Sequence, residues 1–301
     1  MTALDGLLDR VPNWAGRTRT VTPLDGGITN RNFRVDLDGE SFVARSPGKD
    51  TDLLGIDRHH ELEAARRAAD LGIGPVVVAF VEPDGSLITR FVEGGPAEAL
   101  DRSPQLDEAA ALLRRLHESP SITPVFDWYG VPVTYAATAR ARGVEVPEAF
   151  DRAMAVADRV GAAFAVEAEP ACPCHNDLLP ANFLARAEGG LCLLDWEYAG
   201  MNDRYFDLGN FAVNNELDAD GEVALVEAYF GSMTPRRLAR LRLMKVISDL
   251  REAMWGIVQA GVSTLDVDFL DYAEEHFDRL LDNASHVGFE RLLADAAVPD
   301  A

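Results

Sequence analysis

The chain has 301 residues, 48% hydrophobic and 26% charged, an ordinary globular composition that suits one large domain or two lobes around a cleft. Its formal net charge of -22 disfavours nucleic acid and anionic membrane as partners, because phosphate groups are repelled. No apolar stretch approaches the roughly 20 residues needed to span a bilayer, no secretory leader pattern is seen, and Cys172, Cys174 and Cys192 lack metal-knuckle spacing, so a soluble cytoplasmic protein with free thiols and no membrane insertion is expected.

The runs "TRTVTPL", "FRVDLDG" and "SFVAR" predict strands, the last two joined by an Asp-Gly hairpin turn. "DRHHELEAARRAADLG" predicts a helix stopped by Gly72, Gly74 and Pro75. The strand-like runs "VVVAFV" and "SLITRF" follow, separated by the turn "EPDG", and then "VEGGP" interrupts the pattern. Beyond it, helical spacing of apolar residues dominates in "LDEAAALLRRLHE", "PEAFDRAMAVADRVGAAF", "GEVALVEAYFGSM", "RRLARLRLMKVISDLREAMWGIVQAG" and "DFLDYAEEHFDRLLDNA". An α+β chain is predicted, with a small β-rich N-lobe over 1–91, a hinge at 92–96 and a larger, mainly helical C-lobe over 97–301. The acidity is unevenly shared: residues 1–91 hold 11 Lys or Arg against 14 Asp or Glu, leaving -19 for the remainder. That excess fits either solubility or attraction of a cationic substrate.

Within the helical part, "CHNDLLPANFL" is a loop, since Pro173 and Pro180 bracket it. Its pattern H-x-D-x-x-x-x-N has the spacing of a kinase catalytic loop, in which the aspartate accepts a hydroxyl proton and the asparagine holds magnesium. "LCLLDWEYAG" supplies Asp195 at the end of an apolar run, 18 residues after Asp177, as a second metal carboxylate. Asp177, Asn182 and Asp195 are therefore the candidate base and metal ligands. His175 and Asp207 are expected to brace the loop, and Glu197 is either a further metal ligand or a structural partner.

No Walker-type phosphate loop is present. "GGITNRNF" instead forms a hairpin turn in which Gly26 and Gly27 permit close backbone approach, and Thr29 and Asn30 offer donors to phosphate oxygens. Arg45 stands where a kinase strand carries its phosphate-binding lysine, and the chain has only Lys49 and Lys245 as lysines. Glu61 or Glu63 in the following helix can orient that cation.

Together "LDGGITNRNFRV", "FVAR", "DRHHE", "LGIGP", "RFVEGG", "CHNDLLPANFL" and "LLDWEYAGMNDRYFDLGNF" resemble the choline and ethanolamine kinases, within the wider aminoglycoside-phosphotransferase-like group. The resemblance implies a bilobal protein-kinase-like fold that uses ATP and Mg2+. It makes Asp177 the base, Asn182 and Asp195 the metal ligands, and Arg45 with Glu61 the phosphate-binding pair, Glu61 being chosen because an R-x-x-E pattern falls on Arg58 and Glu61. Glu93, in the hinge segment "RFVEGG", joins Gly26, Gly27, Thr29 and Asn30 among the expected nucleotide contacts.

A quaternary ammonium needs aromatic faces and nearby negative charge. "REAMWGIVQAGVSTLDVDFLDYAEEHF" resembles the family's choline-pocket segment and implies a cage of Trp255 and Tyr272, with Glu252 one helical turn before Trp255 where eukaryotic members carry an aromatic residue. A carboxylate there suits choline and could equally accept hydrogen bonds from ethanolamine. The expected activity is phosphorylation of choline, a small cationic alcohol. The alternatives are another amino-alcohol kinase, an aminoglycoside phosphotransferase, or a non-catalytic binding module for cationic metabolites.

Overall fold

The computed structural model describes residues 3–24, 29–263 and 265–299. In chain order, α1 (Ala3–Leu8) precedes β1 (Thr20–Leu24), β2 (Asn30–Leu37), β3 (Glu40–Pro47), α2 (Arg58–Asp70), β4 (Val77–Val81), β5 (Ser86–Arg90) and β6 (Gly94–Pro96). The chain then forms α3 (Gln105–His117), α4 (Gly130–Ala141), α5 (Ala149–Ala165) and β7 (Cys172–Cys174). It continues through β8 (Phe183–Arg186), β9 (Leu191–Leu193), β10 (Gly200–Asn202), α6 (Arg204–Asn214), α7 (Ala219–Phe230), α8 (Pro235–Val262), α9 (Phe269–Ser285) and α10 (Phe289–Ala296).

Two compact units result, one of residues 1–96 and 184–198, the other of 97–183 and 199–301. In the first, five antiparallel strands run in the order β1-β2-β3-β5-β4. The β2–β3 hairpin turns on Asp38 and Gly39, both with positive φ, the geometry that matches the strands' right-handed twist. On β3, Phe42 and Ala44 join Leu7, Leu8, Trp14, Val35 and Ile88 in a buried core, and the Trp14 and Phe42 rings meet edge to face at 4.8 Å. Side chains alternate along a strand, so Arg45 points to the opposite face. There it meets Glu61 of α2, a helix whose start is fixed by the Asp57 carboxylate accepting the His59 and His60 N–H groups.

Residues 184–198, expected within the helical lobe, group instead with the sheet unit. The reason is backbone pairing: β8 runs antiparallel to β6, with Gly94 opposite Arg186 and Pro96 opposite Leu184. The segment expected as a hinge at 92–96 thus contains a strand.

The second unit is built on the 28-residue α8, against which α4, α5, α6, α9 and α10 pack. The α6–α8 crossing depends on Gly209, where a Cβ would stand 2.5 Å from the Met244 backbone carbon. Buried Arg240 of α8 pins the unit's end, donating to the carbonyls of Ala296 and Glu167 and lying 4.5 Å over the Phe164 ring. All three cysteines are buried free thiols. Burial pushes Cys192 up to about 11 and raises Cys174 as well, so neither is a ready thiolate. Among the described residues, no helix is long and apolar enough to cross a membrane.

Candidate active site

The loop after β7 is held from below by Asp207 of α6, which is wholly buried. Asp207 Oδ2 accepts the His175 N–H at 2.8 Å, and its Oδ1 accepts the Asn176 N–H at 2.7 Å. His117 Nε2 lies 3.0 Å from the same Oδ2, while its Nδ1 lies 2.6 Å from the Tyr229 hydroxyl, whose pKa burial pushes far up so that it stays a donor. His117, Cys174 and Asp207 are close enough to suggest a metal cluster, but three donors already engage the carboxylate. One residue further, Asn176 takes a left-handed φ of 67°, which asparagine tolerates, and its Oδ1 accepts from Asn202. Asn210 Oδ1 accepts the Leu178 N–H at 2.5 Å. With its neighbours so fixed, Asp177 has its own N–H directed at His175 Nδ1, 3.3 Å away, and Asn182 Nδ2 donates to its carbonyl at 2.8 Å and to its Oδ2 at 3.3 Å. Asn182's nitrogen is thus spent, leaving its carbonyl oxygen as the end suited to a cation.

In the same unit, α8 and α9 bring a second group to Asp177. Arg251, 2% exposed, places Nη1 3.1 Å from Asp177 Oδ1 and 2.5 Å from Glu252 Oε1. Glu252 Oε2 accepts the Tyr272 hydroxyl at 2.9 Å. Burial first, and then Glu252, hold that hydroxyl's pKa far above its ordinary range, so it remains a donor. The Tyr272 and Trp255 rings stand 5.9 Å apart at 70°, and Phe269 meets Trp255 at 5.8 Å and 78°. Two aromatic walls therefore meet nearly at right angles beside a carboxylate.

The sheet unit carries its own charge cluster. Arg45 pairs through Nη1 with Glu61 Oε1 and through Nη2 with Asp195 Oδ2, each at 2.5 Å. Burial acts to lower the Arg45 pKa, but Asp195, Glu61 and Glu197 outweigh it and hold the guanidinium above its ordinary value. Arg58 Nη1 reaches Glu61 Oε2 at 2.7 Å and Glu197 Oε2 at 3.2 Å. Asp195 follows the buried β9 with a left-handed φ of 64°, a conformation costing about 1–2 kcal/mol for a residue with a Cβ. Its Oδ1 is buried and has no hydrogen-bond partner among the described residues. An unpaired buried carboxylate oxygen is costly in this state, and a hard divalent cation would satisfy it.

The structure therefore brings together Arg45, Glu61 and Asp195 in one unit, and Asp177, Asn182, Glu252, Trp255 and Tyr272 in the other. Gly26 and Gly27 lie outside the described residues. Thr29 and Asn30 differ from expectation, since their side-chain donors are already engaged: Thr29 Oγ1 donates to Glu197 Oε1 at 2.7 Å and Asn30 Nδ2 to Glu197 Oε2 at 2.8 Å. Glu93 has an exposed side chain 3.8 Å from Arg34, and its carbonyl accepts the Ala187 N–H. Sequence reasoning missed Arg251 and the reach of Arg58 to Glu197. The R-x-x-E spacing was a usable signal for Arg58. None existed for Arg251, because adjacent helix residues are not expected to face each other.

A family model described as the phosphotransferase enzyme family matches residues 20–242. The chain belongs to that family. It is an ATP-dependent phosphotransferase acting on an alcohol. A crystal structure of a choline/ethanolamine kinase family protein from Mesorhizobium loti is similar with a TM-score of 0.83 and 30% identity, covering 98% of each chain. "Protein LicA" of Haemophilus influenzae is 27% identical over 270 residues, which span 84% of this chain and 76% of the relative. "Ethanolamine kinase 2" of Mus musculus is 26% identical over 304 residues, spanning 89% and 77%. The fold of this phosphotransferase is the protein-kinase-like one expected from the sequence, with a β-sheet N-terminal region and a helical C-terminal region.

Proposed function

We propose that this phosphotransferase transfers the γ-phosphoryl group of ATP to the hydroxyl of choline. The observation that carries the reading is the aromatic corner of Trp255 and Tyr272 set on Glu252, with Arg251 linking Glu252 to Asp177. A quaternary ammonium has no N–H to satisfy and is held by ring faces and nearby negative charge. Ethanolamine brings three N–H donors, and the Glu252 oxygens, each already accepting one protein donor, keep acceptor capacity for only about two more. That favours choline of the two.

In this reading Asp177 receives the hydroxyl proton as the oxygen–phosphorus bond forms and the bond to the leaving ADP oxygen breaks. Asn182 Nδ2 holds Asp177 in place from one side and Arg251 from the other. Arg45, oriented by Glu61, contributes positive charge to the phosphates. Asn182 Oδ1 in the helical unit and the Asp195 carboxylate in the sheet unit are each hard oxygen donors of the kind that would hold magnesium, and the buried unpartnered Asp195 Oδ1 supports the fit there. When bound, magnesium supplies charge neutralisation at the phosphates.

The test is magnesium-dependent ADP release from ATP with choline, ethanolamine and a panel of aminoglycosides in parallel. Selective turnover of choline is expected. Preference for ethanolamine refutes the acceptor argument at Glu252, and turnover of aminoglycosides alone refutes the choline assignment.

A further inference from the structure

Arg251 is a cation buried at the place where a cationic substrate is proposed to bind. It sits between two carboxylates, 3.1 Å from Asp177 Oδ1 and 2.5 Å from Glu252 Oε1, and it is as buried as Glu252 itself. A buried cation beside a cation site works against affinity unless the balance of charge matters. The formal charges of Asp177, Arg251 and Glu252 add to a single negative charge. Without Arg251 they would add to two, held within one buried wall where charges are weakly screened.

We infer that Arg251 is a specificity-determining residue: by neutralising one of the two carboxylates it sets the site to accept alcohols bearing one positive charge and to reject polycations. The inference rests on the proposed function for the location of the substrate, and it deepens that reading from one alcohol to a charge class. Both contacts run through Nη1, so a single nitrogen of the guanidinium lies against the two carboxylates at once. Arg251 also ties the proposed base to Glu252 and Tyr272, so the substrate's charged end and the hydroxyl's acceptor share one rigid support on α8. Aminoglycosides carry several ammonium groups, and a wall of net charge minus one offers them no second counter-charge.

The experiment is calorimetric titration of the whole enzyme with choline, with ethanolamine and with 1,3-bis(trimethylammonio)propan-2-ol, a permanently dicationic alcohol. Wild type, Arg251→Gln, Arg251→Lys and the double variant Arg251→Gln/Glu252→Gln are compared. The ratio of the dication's Kd to the monocation's is the readout, because a structural defect weakens both ligands alike. Arg251→Gln, with net charge minus two, is expected to shift that ratio toward the dication by about tenfold or more. Arg251→Lys and the double variant restore net charge minus one and are expected within about threefold of wild type. An unchanged ratio in Arg251→Gln overturns the inference, as does an equal shift in Arg251→Lys. Should Arg251→Gln fail to fold, the comparison passes to Glu252→Gln, with net charge zero, for which the ratio must move in the opposite direction. Because binding is measured directly, failure of choline turnover removes the proposed function without deciding the charge argument, and an unmoved ratio removes the charge argument whichever alcohol is phosphorylated.

Discussion

Glu197 lies two residues beyond Asp195, where it could serve either as a further metal ligand or as a structural clamp, and the two roles respond differently to substitution. In the structure all of its bonding is with protein: Oε1 accepts Thr29 Oγ1, and Oε2 accepts both Asn30 Nδ2 and Arg58 Nη1. Glutamine can keep this pattern. Its carbonyl oxygen takes the place of Oε2 and serves Asn30 and Arg58, while its NH2 replaces Oε1 and the Thr29 hydroxyl rotates to accept. The loss is one charge-assisted contact with Arg58 reduced to an ordinary one, about 1 kcal/mol. Burial first, and then the neighbouring Asp195, hold the Glu197 carboxyl above its ordinary pKa, so its ionised form carries a cost that glutamine lacks. Glu197→Gln is therefore expected within about 1 kcal/mol of wild type.

Alanine removes the shared acceptor of Thr29, Asn30 and Arg58 in a buried setting, Arg58 keeping Glu61, a loss of about 3–5 kcal/mol. At about 2–4 °C per kcal/mol, the thermal midpoint of Glu197→Ala falls by about 6 °C or more. The assays are thermal unfolding together with a magnesium titration of ATP turnover. A clamp predicts that glutamine leaves both curves nearly in place and that alanine shifts the unfolding curve. An intact unfolding curve in Glu197→Gln with a magnesium requirement raised about tenfold or more would refute the clamp and make Glu197 a metal ligand.

Asp177→Ala is expected to abolish acceptor-dependent ADP release while leaving ATP binding measurable by titration; near-normal turnover would remove the proposed base. Trp255→Ala deletes one wall of the aromatic corner and is expected to raise KM for choline about tenfold or more, with kcat less affected, as read from initial rates. Asp203 caps α6 by accepting the Tyr205 N–H at 2.9 Å, yet burial pushes its pKa up to about 6. A folded value above the unfolded one means that the group's contribution is fully present below the ordinary aspartate value and lost as pH rises through about 6. Asn is an equally good cap, so Asp203→Asn should stabilise by about 2 kcal/mol at pH 8 and by nearly nothing at pH 4, a difference readable from unfolding midpoints at the two values.

Hydrophobic periodicity was sufficient for α2 in the sheet unit and for α3, α5, α7, α8 and α9 in the helical unit, each of which turns an apolar face to the interior of its own unit. It failed where a helix has no polar face. From Tyr205 to Ala212, α6 is buried at every position, so its sequence shows no alternation to detect. Gly130 and Pro132 open α4 with breakers, and its buried face uses the small residues Ala136 and Ala139 beside Tyr135. At the site, the legible part was whatever lies close along the chain: Asp177 to Asn182, Arg58 to Glu61, Glu252 to Trp255. The engagement of the Thr29 and Asn30 side chains by Glu197 was not legible because that carboxylate is 168 and 167 positions away. A turn rich in donors looks the same in sequence whether the acceptor is a phosphate or a distant glutamate.

Both charge clusters are built on one plan, arginines standing between carboxylates. In the sheet unit Arg45 and Arg58 meet Glu61, Asp195 and Glu197, and in the helical unit Arg251 meets Asp177 and Glu252. Each set adds to a formal charge of minus one. A chain with net charge -22 and only two lysines could have built far more negative sites by omitting these arginines. Buried carboxylates left unpaired would take up protons, and a protonated Asp177 cannot receive one from a hydroxyl. The arginines set a positive charge between neighbouring carboxylates and leave each set one unit of negative charge. In the proposed reading, recognition of a cation is therefore a property of local charge balance at Asp177, Arg251 and Glu252 rather than of the acidity of the chain as a whole.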